Sequence, residues 1–434
     1  MNLIETIFSG DQTRREETLA RIARRSVAFD AALIGDVSAI IEDVRRRGDA
    51  AVIDCTARFD GLQMQPTELR VEDKALRCSA ARVDPLVLEA LREAIRNVRA
   101  FHERQREESW QITSAEGLML GQRIAPIERA GLYVPGGSAA YPSSVVMNVV
   151  PAQIAGVDRI VVTTPPRTLA ENPAVSAALV ELNVTEIYAV GGAQAIAALA
   201  YGTETVPRVD KITGPGNKYV AAAKKLVFGA VGIDSIAGPS EIVIIADDTA
   251  RPDFIAADLL AQAEHAEDAS AVLLTTSERV ARASAAEVTR QAEYLPRRAT
   301  VVNSLCKYGA IFVVDSLDDA CAIANELAPE HLELMTSDDE AIAERVRHAG
   351  AIFFGSYTPE ALGDYLAGPN HVLPTGRAAR FSSALGVHDF LTRTSVLRYS
   401  RVQLGRAAEK IAALARAEGL EAHARSAEIR GAEK

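Results

Sequence analysis

A short segment of this chain carries the first side chains that could bind a metal ion. Residues 253–268 place apolar side chains at helical spacing, which predicts a helix with one packed face. Gln262 and His265 lie three residues apart near its end, and on a helix this spacing puts both on the same side. Taken alone, the segment fits a polar helix end better, so a metal site requires ligands from elsewhere in the chain.

A glutamate and a histidine adjoin at Glu330-His331, between a predicted helix and the predicted strand HLELMTS. Histidine titrates near neutral pH, and burial can raise the pKa of a glutamate. Such a pair could therefore activate water and move protons. A solvated pair at a helix terminus is the alternative, and this stretch by itself favours neither interpretation.

Four more polar residues lie toward the C-terminal end. Asp364 precedes a turn-rich stretch that ends in His371, and polar loops between regular elements often hold functional groups. His371 could be a ligand, although a loop histidine bonded to backbone is the commoner outcome. Glu418 and His423 lie on or near the last predicted helix and carry no signal by themselves. The remaining histidines have no marked partner and are predicted to be structural: His102, His348 and His388.

Glycine-rich turns recur between predicted strands and helices at Gly136-Gly137, Gly191-Gly192 and Gly214-Pro215-Gly216. In parallel α/β domains ligands bind at the carboxyl ends of strands, and a helix N-terminus suits a phosphate or pyrophosphate. Neither G-x-G-x-x-G nor G-x-x-x-x-G-K-[ST] occurs in the sequence. An atypical nucleotide site and plain tight turns explain these glycines about equally well.

The elements that must position these residues follow from periodicity. Residues 1 to about 110 show apolar stripes at helical period, which indicate packing rather than chemistry. From about residue 117 strands alternate with helices, first before Ser240 and again after it. This alternation predicts two α/β blocks with parallel sheets. After about residue 380 the pattern returns to helices.

Composition excludes several classes of protein. A chain of 434 residues is long enough for two or three domains, and 48% hydrophobic with 24% charged residues is typical of globular proteins. The net charge of -11, without any basic block, argues against a nucleic-acid partner. No apolar run approaches the roughly 20 residues that span a bilayer. Four scattered cysteines without C-x-x-C spacing and an N-terminus without a signal-peptide core predict a cytoplasmic protein.

Together, seven stretches of the sequence resemble the histidinol dehydrogenase family. The resemblance covers nearly the whole chain, and the motifs occur in the family's order. The stretches are VPGGSAAYPSSVVMN at 134–148, TGPGNKYV at 213–220, AGPSE at 237–241, LLAQAEH at 259–265, PEHLE at 329–333, GDYLAGPNHVLPT at 363–375 and EGLEAHA at 418–424.

The resemblance implies an activity and a set of site residues. The family oxidises L-histidinol to L-histidine in two NAD-dependent steps, the last two of histidine biosynthesis, through an aldehyde that stays bound at a zinc site. Its members are homodimers with one zinc ion per subunit, and their tails complete the partner's site with Glu418 and His423. The implied zinc ligands are Gln262, His265, Asp364 and His423. The implied substrate contacts are Ser240, Gln262, His265, His331, Asp364, Glu418 and His423. The implied NAD contacts are Tyr133, Gln194 and Asn217.

The ligand chemistry agrees with this assignment, because two histidines, one carboxylate and one amide leave zinc able to accept substrate donors. We expect His331 to take the hydroxyl proton as hydride leaves for the first NAD. Glu330 then activates water to attack the aldehyde, and His331 accepts a proton again as the second hydride leaves. No cysteine nucleophile is required, and Cys306 and Cys321 lie in a predicted loop and a packed helix.

Two other functions fit the residues less well. One is a zinc-dependent dehydrogenase for a different small polar alcohol. The other is a two-domain protein that binds an amino acid derivative without turning it over, against which the Glu330-His331 pair argues.

The predicted fold is α/β, with two incomplete Rossmann-like parallel-sheet domains, a helical N-terminal arm and a helical C-terminal tail. The arm is residues 1–24, and the tail is 381–434. Residues 25–130 joined with 240–380 form the zinc and substrate domain, and 131–239 the domain with the NAD contacts. This discontinuous division comes from the resemblance, since periodicity gives only the two blocks.

Overall fold

The computed structural model describes residues 3–25, 29–136 and 141–431. Gly137 and the rest of the 137–140 segment of the predicted VPGGSAAY motif lie outside the described residues. The chain forms two compact units, one of Met1–Gln105 with Glu128–Phe390 and the other of Arg106–Ile127 with Leu391–Lys434. Among the described residues, no helix is long and apolar enough to cross a membrane.

Fourteen strands occur in the described part of the chain. They are β1 Glu5–Ile7, β2 Trp110–Thr113, β3 Met119–Pro126, β4 Arg129–Tyr133, β5 Arg159–Thr164, β6 Glu186–Ala189, β7 Lys211–Thr213, β8 Gly232–Ile233, β9 Glu241–Ala246, β10 Ser270–Thr275, β11 Gly309–Val313, β12 His331–Met335, β13 Ala351–Phe354 and β14 Leu391–Arg398.

The same ranges contain eighteen α-helices and three short 3-10 helices. The α-helices are α1 Gln12–Ala23, α2 Ala31–Arg47, α3 Asp49–Asp60, α4 Asp73–Ala80, α5 Pro85–Glu103, α6 Pro142–Ala155, α7 Pro166–Glu171, α8 Pro173–Glu181, α9 Gly192–Tyr201, α10 Lys218–Val227, α11 Pro252–Ala263, α12 Glu278–Ala292, α13 Arg298–Tyr308, α14 Leu317–Leu327, α15 Asp339–Ala343, α16 Glu360–Tyr365, α17 Arg401–Ala417 and α18 Glu421–Gly431. The 3-10 helices are Pro66–Glu68, Ala378–Arg380 and Val387–Phe390.

The larger sheet has six parallel strands in the order β1-β11-β10-β9-β12-β13. Its central strands read as continuous apolar runs because helices cover both faces. Along β9, Ile242 and Ile244 contact one helical layer, while Val243 and Ile245 contact the other. This sheet confirms the predicted second α/β block, and it gains an edge strand, β1, from the N-terminal arm.

The second sheet has five parallel strands in the order β6-β5-β4-β7-β8. It confirms the first predicted α/β block. Helices α2 to α5 pack against the helices of this sheet, α2 on α9 and α10, α4 on α8, and α5 on α6. The stretch that the resemblance assigns to the zinc domain, residues 25–130, therefore contributes most of its helices to the other sheet. The four-part division of the chain stays a prediction.

The second compact unit combines an antiparallel sheet with two helices. Strand β3 lies between β2 and β14, with Leu391 opposite Pro126 and Arg398 opposite Met119. The predicted helical tail is present as α17 and α18, which pack through Ala412, Ala415 and Ala424. Strand β14 is an addition that the pattern did not predict, because its antiparallel partner lies far away in the sequence.

Candidate active site

The candidate catalytic residues lie at the amino edge of the six-stranded sheet. His331 is the first residue of β12, and Glu241 is the first residue of the neighbouring β9. In a parallel sheet the connecting helices run back toward this edge, so α11 and α14 end there. The end of α11 brings Gln262 to the edge, and the end of α14 leads directly into Glu330.

Helix α11 is shorter than predicted: it ends at Ala263 and does not continue to residue 268. Beyond its end, the backbone N–H of His265 donates to Gln262 O at 3.2 Å. The imidazole Nδ1 of His265 lies 3.0 Å from Ala261 O and supplies this last-turn carbonyl with a donor. Donation from Nδ1 leaves the Nε2 lone pair of His265 available to a metal ion.

The structure brings a set of metal-binding donors together at this point. One donor atom from each of His265, Glu360 and Asp364 lies within 4.8 Å of the others. Glu360 and Asp364 are one helical turn apart on α16, so their side chains share a face. The sequence analysis missed Glu360, and the i, i+4 spacing from Asp364 is the signal that could have identified it.

Gln262 faces acceptors on one side of its amide group. Both carboxylate oxygens of Glu360 lie 3.2 and 3.1 Å away, and Glu241 O lies 3.2 Å away. His331 Nδ1 lies 3.1 Å from the same amide atom. The three oxygen acceptors assign the amide nitrogen to this side, so the carbonyl oxygen lies on the opposite side of the amide group. Imidazole, carboxylate and amide oxygen are ligands that zinc accepts, so the residues fit a zinc ion.

Glu330 is buried beside this cluster. Its Oε2 accepts a hydrogen bond of 3.0 Å from the backbone N–H of Glu241. Burial raises the pKa of Glu330 well above its usual range, and the hydrogen bond from Glu241 opposes part of that effect. A carboxylate with a raised pKa suits a general base for water at neutral pH.

His331 is buried with its two ring nitrogens in different roles. Nδ1 lies 3.2 Å from Glu241 O and 3.1 Å from the Gln262 amide, and the tautomer with its proton on Nδ1 donates to the Glu241 carbonyl. Nε2 is buried, has no hydrogen-bond partner among the described residues, and lies 3.9 Å from Asp364 Oδ1. Burial lowers the pKa of His331 to about 4, so the ring is neutral at physiological pH. The arrangement leaves a basic lone pair on Nε2 that faces the cluster.

Two further buried carboxyl groups, those of Asp258 and Glu333, lie next to the start of α16. Burial raises the pKa of Asp258 to about 6 and that of Glu333 well above its usual range. The negative charge of Asp258 adds to the effect of burial on Glu333, because two neighbouring carboxyl groups do not readily ionise together. Glu333 Oε1 also accepts from the backbone N–H of Glu360 at 2.8 Å, so the pair holds the start of α16.

Two other histidines behave largely as the sequence analysis expected. His371 Nδ1 lies 2.9 Å from Asp364 O, so it is bonded to backbone, while its Nε2 lies 3.5 Å from Ser144 Oγ. Burial lowers the pKa of His371 and keeps its ring neutral. His102 is buried, with Nδ1 2.8 Å from Gln105 Oε1, as a structural histidine.

The predicted NAD contacts lie at the carboxyl edge of the five-stranded sheet. Tyr133 ends β4, and its hydroxyl accepts from Gly192 N at 3.1 Å, where α9 begins. Burial raises the pKa of Tyr133 to about 12, so the phenol stays protonated. Gln194 is buried in the first turn of α9. Asn217 is exposed, and its Oδ1 caps α10 by accepting from the backbone N–H groups of the first turn at 3.0 and 3.2 Å.

A buried ion pair fixes the turn that precedes Asn217, and the sequence analysis did not find it. Lys224 is 2% exposed, pairs with Asp234, and donates to Gly214 O at 3.0 Å. Asp234 Oδ2 accepts from Gly214 N at 2.8 Å. Gly214 has φ +112, and a Cβ there would lie 2.2 Å from Tyr133 O, so only glycine fits this turn.

Three further predicted contacts are placed separately. Ser240 lies directly before β9, at the same amino edge as Glu330 and His331. Glu418 follows α17 and His423 lies on α18, both exposed within the second compact unit. Their contribution to the site of another subunit stays a prediction.

Known proteins resemble this chain over nearly its whole length. A family model described as histidinol dehydrogenase matches residues 23–431. Histidinol dehydrogenase of Geobacillus kaustophilus is 58% identical over 428 residues, which is 98% of each chain. That of Bacillus subtilis is 53% identical over 395 residues, covering 91% of this chain and 92% of its own.

A solved structure agrees with these sequence matches. The crystal structure of histidinol dehydrogenase from Elizabethkingia anophelis superposes with a TM-score of 0.92 at 35% identity, covering 99% of this chain and 98% of the other. The resemblance found in the sequence motifs is therefore confirmed, and the chain belongs to the histidinol dehydrogenase family.

Proposed function

We propose that this member of the family catalyses the NAD-dependent oxidation of L-histidinol to L-histidine through a bound L-histidinaldehyde. The observation that carries the proposal is the pair Glu330-His331, buried beside the metal-competent cluster of His265, Glu360 and Asp364. Both partners have pKa values shifted by burial toward the protonation state of lower charge. The identity of the substrate is inferred from the relatives, which are described as histidinol dehydrogenases.

The metal in this proposal is zinc, one ion per subunit, held by Gln262, His265 and Asp364 together with His423 of a second subunit. When bound, zinc acts as a Lewis acid that orients the imidazole and amine of the substrate. The orientation of the Gln262 amide and the Nδ1 bond of His265, which leaves the Nε2 lone pair to a metal ion, support these ligand assignments. Glu360 orients Gln262 from behind.

NAD in this proposal lies at the carboxyl edge of the five-stranded sheet, against Tyr133, Gln194 and Asn217. When bound, it accepts the hydride in each of the two oxidations. Helix α9 begins at Gly192, and its N-cap Gly191 has no side chain to cap the first turn. The N–H of Gly192 donates to Tyr133, and the other N–H groups of that turn suit a pyrophosphate.

In the first oxidation, His331 Nε2 accepts the proton of the substrate hydroxyl as the carbon loses hydride. The ring is neutral and is held by the bond from Nδ1 to Glu241 O, so the lone pair stays aimed at the cluster. The products of this step are the bound aldehyde, one NADH and one proton on His331.

In the second oxidation, Glu330 accepts a proton from water as the water oxygen bonds to the aldehyde carbon. His331 returns its proton to the former carbonyl oxygen, which gives the diol, and it then accepts a hydroxyl proton as the diol loses hydride. The sum of both steps is one histidinol, two NAD and one water converted to one histidine, two NADH and three protons, counted with the carboxylate ionised. A cysteine nucleophile is not needed.

The proposed assembly is a cytoplasmic homodimer that has no nucleic-acid or membrane partner. The net charge of -11 supports the absence of a nucleic-acid site. Exposed apolar side chains on the tail, with Val402 60%, Leu414 70% and Ile429 68% exposed, support a surface that a second chain covers.

The test is NADH formation from L-histidinol by the purified protein, before chelation, after chelation and with zinc restored. We expect two NADH per histidinol, lost with the chelator and recovered with zinc. A panel of other amino alcohols and sulfonated alcohols serves as the comparison. Turnover of another alcohol but not of histidinol, or tight histidinol binding without NADH, contradicts the proposal.

A further inference from the structure

One arginine of the N-terminal segment reaches the amino edge of the six-stranded sheet. Arg25 follows α1 by two residues, and its side chain is only 3% exposed. A buried arginine is uncommon unless its charge is paired. The apolar pattern of the first 110 residues indicated packing alone, so this contact is new information from the structure.

Arg25 binds the start of β9 at two points and the turn before β10 at a third. Nη2 lies 2.9 Å from Glu241 Oε1, and Nη1 donates to Ser240 O at 3.2 Å and to Asp268 O at 2.8 Å. The planar guanidinium thereby fixes one side chain and two backbone carbonyls at once. The backbone N–H of Gly376 donates to the same Glu241 oxygen at 3.2 Å, which completes the frame.

Glu241 in turn holds both members of the catalytic pair through its backbone. Its N–H donates to Glu330 Oε2 at 3.0 Å, and its C=O accepts from His331 Nδ1 at 3.2 Å. A shift of the Glu241 backbone would therefore move the carboxylate and the imidazole together. The positive charge of Arg25 also acts on Glu330, because it lowers the pKa of that carboxyl and so opposes part of the effect of burial.

We propose that Arg25 is a positioning residue of the active site, which acts through Ser240-Glu241 to hold Glu330 and His331 in register with the metal-competent cluster. This inference rests on the proposed oxidation of histidinol. Arg25 touches neither reacting atom nor cofactor, so the effect is on the rate of chemistry and not on NAD binding. The neighbouring Arg24 is exposed and offers a matched control.

The kinetic test compares Arg25→Ala and Arg25→Lys with Arg24→Ala. We expect R25A to lower kcat on the order of 10²-fold in both oxidations, because small misplacements of catalytic groups have effects of that size. KM for NAD stays near the wild-type value, since the NAD contacts lie on the other sheet. R25K keeps the positive charge but loses the planar guanidinium with its several donors, so its kcat should lie between those of R25A and wild type. The kcat of R24A should equal that of wild type.

Chemical rescue separates positioning from a general loss of stability. Millimolar guanidinium restores part of the kcat of R25A by occupying the vacated site, and it does not raise that of R24A. A purely structural role predicts the opposite, namely a raised KM for NAD and further loss of activity in guanidinium. Wild-type kcat in R25A, or no rescue at all, overturns the proposal.

A crystal structure of R25A gives a readout that does not depend on turnover. We expect the Glu241 side chain to move and the hydrogen bond from its N–H to Glu330 to be lost. If wild-type protein fails to oxidise histidinol, the proposed function is wrong while this test of Arg25 still stands. An unchanged Glu241 and Glu330 in that structure contradicts the positioning role by itself.

Discussion

Glu330 and His331 are adjacent in the sequence, yet burial moves their protonation equilibria in opposite directions. Burial disfavours the charged form of each group, so the pKa of the carboxyl rises and that of the imidazole falls to about 4. His331 is therefore a proton acceptor over the whole physiological range. Glu330 must first ionise, so the two groups suit different steps.

Substitution of each residue should affect the two oxidations differently. Glu330→Gln removes the base for water but leaves the alcohol step, so aldehyde oxidation should slow much more than alcohol oxidation. His331→Asn removes the acceptor used in both steps and should slow both, by roughly 10² to 10⁴-fold. Rapid-mixing measurements that start from histidinol and from histidinaldehyde give the two rates. Equal losses in both steps for E330Q would contradict this division of roles.

The same shifts predict how each step depends on pH. The alcohol step needs neutral His331, so its rate should persist as pH falls until the pKa near 4 is approached. The aldehyde step needs ionised Glu330, whose pKa is raised, so its rate should fall at a higher pH. Single-turnover rates measured from about pH 4 to pH 8 should show the aldehyde rate falling at a pH about one unit or more above that at which the alcohol rate falls. An aldehyde limb at lower pH than the alcohol limb would contradict the assignment.

Glu360 should control how tightly the metal is held. Its carboxylate accepts from the Gln262 amide nitrogen at 3.1 and 3.2 Å. This contact fixes the amide group with its oxygen on the opposite side, where the proposed zinc ion would bind. Loss of such an orienting group typically weakens metal binding about 10 to 100-fold. Glu360→Gln should therefore lose zinc to a competing chelator sooner than wild type, while the exposed Glu344→Gln serves as control. Equal zinc retention in E360Q would rule out this role.

Residue types and family motifs predicted the part of the site that carries an unusual pattern. Glu330, His331 and Gln262 stand out because of adjacency or a recognisable motif, and the structure places them together. The supporting residues carry no such signal, because each occupies an ordinary helix, strand or connecting segment, and only the tertiary contacts reveal its role. These are Arg25, Lys224, Asp234, Asp258, Glu333 and Glu360.

At the level of elements, periodicity predicted the two parallel sheets but not which edge holds each part of the site. The predicted NAD contacts follow the expected rule, at the carboxyl ends of β4 and β7. The proposed catalytic pair lies instead at the amino edge of the other sheet, where α11 and α14 end. The antiparallel sheet of β2, β3 and β14 escaped prediction because its outer strand pairs with residues far away in the sequence.

The turn after β7 depends on the buried pair of Lys224 and Asp234. Removing one charge leaves the other buried and unpaired, at a cost of roughly 3 to 5 kcal/mol. The double variant Lys224→Met with Asp234→Leu leaves no unpaired buried charge, but it removes the two hydrogen bonds that hold the Gly214 backbone. We expect a folded protein whose KM for NAD rises on the order of tenfold, because the turn no longer holds one conformation.

The exposed neighbour Lys225→Met is the matched control for that experiment. It should keep the wild-type KM for NAD. KM for histidinol should change little in the double variant, since the predicted substrate contacts lie on other elements. An unchanged KM for NAD in a folded double variant would show that the ion pair serves stability alone.

At the scale of the whole molecule, the tail from Leu391 onward belongs to the second compact unit, together with Arg106–Ile127. It presents His423 and Glu418 on its exposed surface. The proposed zinc ligands His265, Asp364 and Gln262 belong to one chain, and His423 would be the fourth ligand. The resemblance assigns that ligand to the tail of a second subunit, which neither periodicity nor the fold of one chain can test.

Subunit mixing tests the shared site directly. His265→Ala and His423→Ala should each be inactive, because every site in either homodimer lacks one ligand. When the two variants are unfolded together and reassembled, half of the dimers are mixed, and each mixed dimer has one site with both histidines. Random assembly of a two-fold dimer should therefore restore about a quarter of wild-type turnover. If His423 served its own chain, no mixture would regain activity, because each subunit would still lack one ligand of its own site.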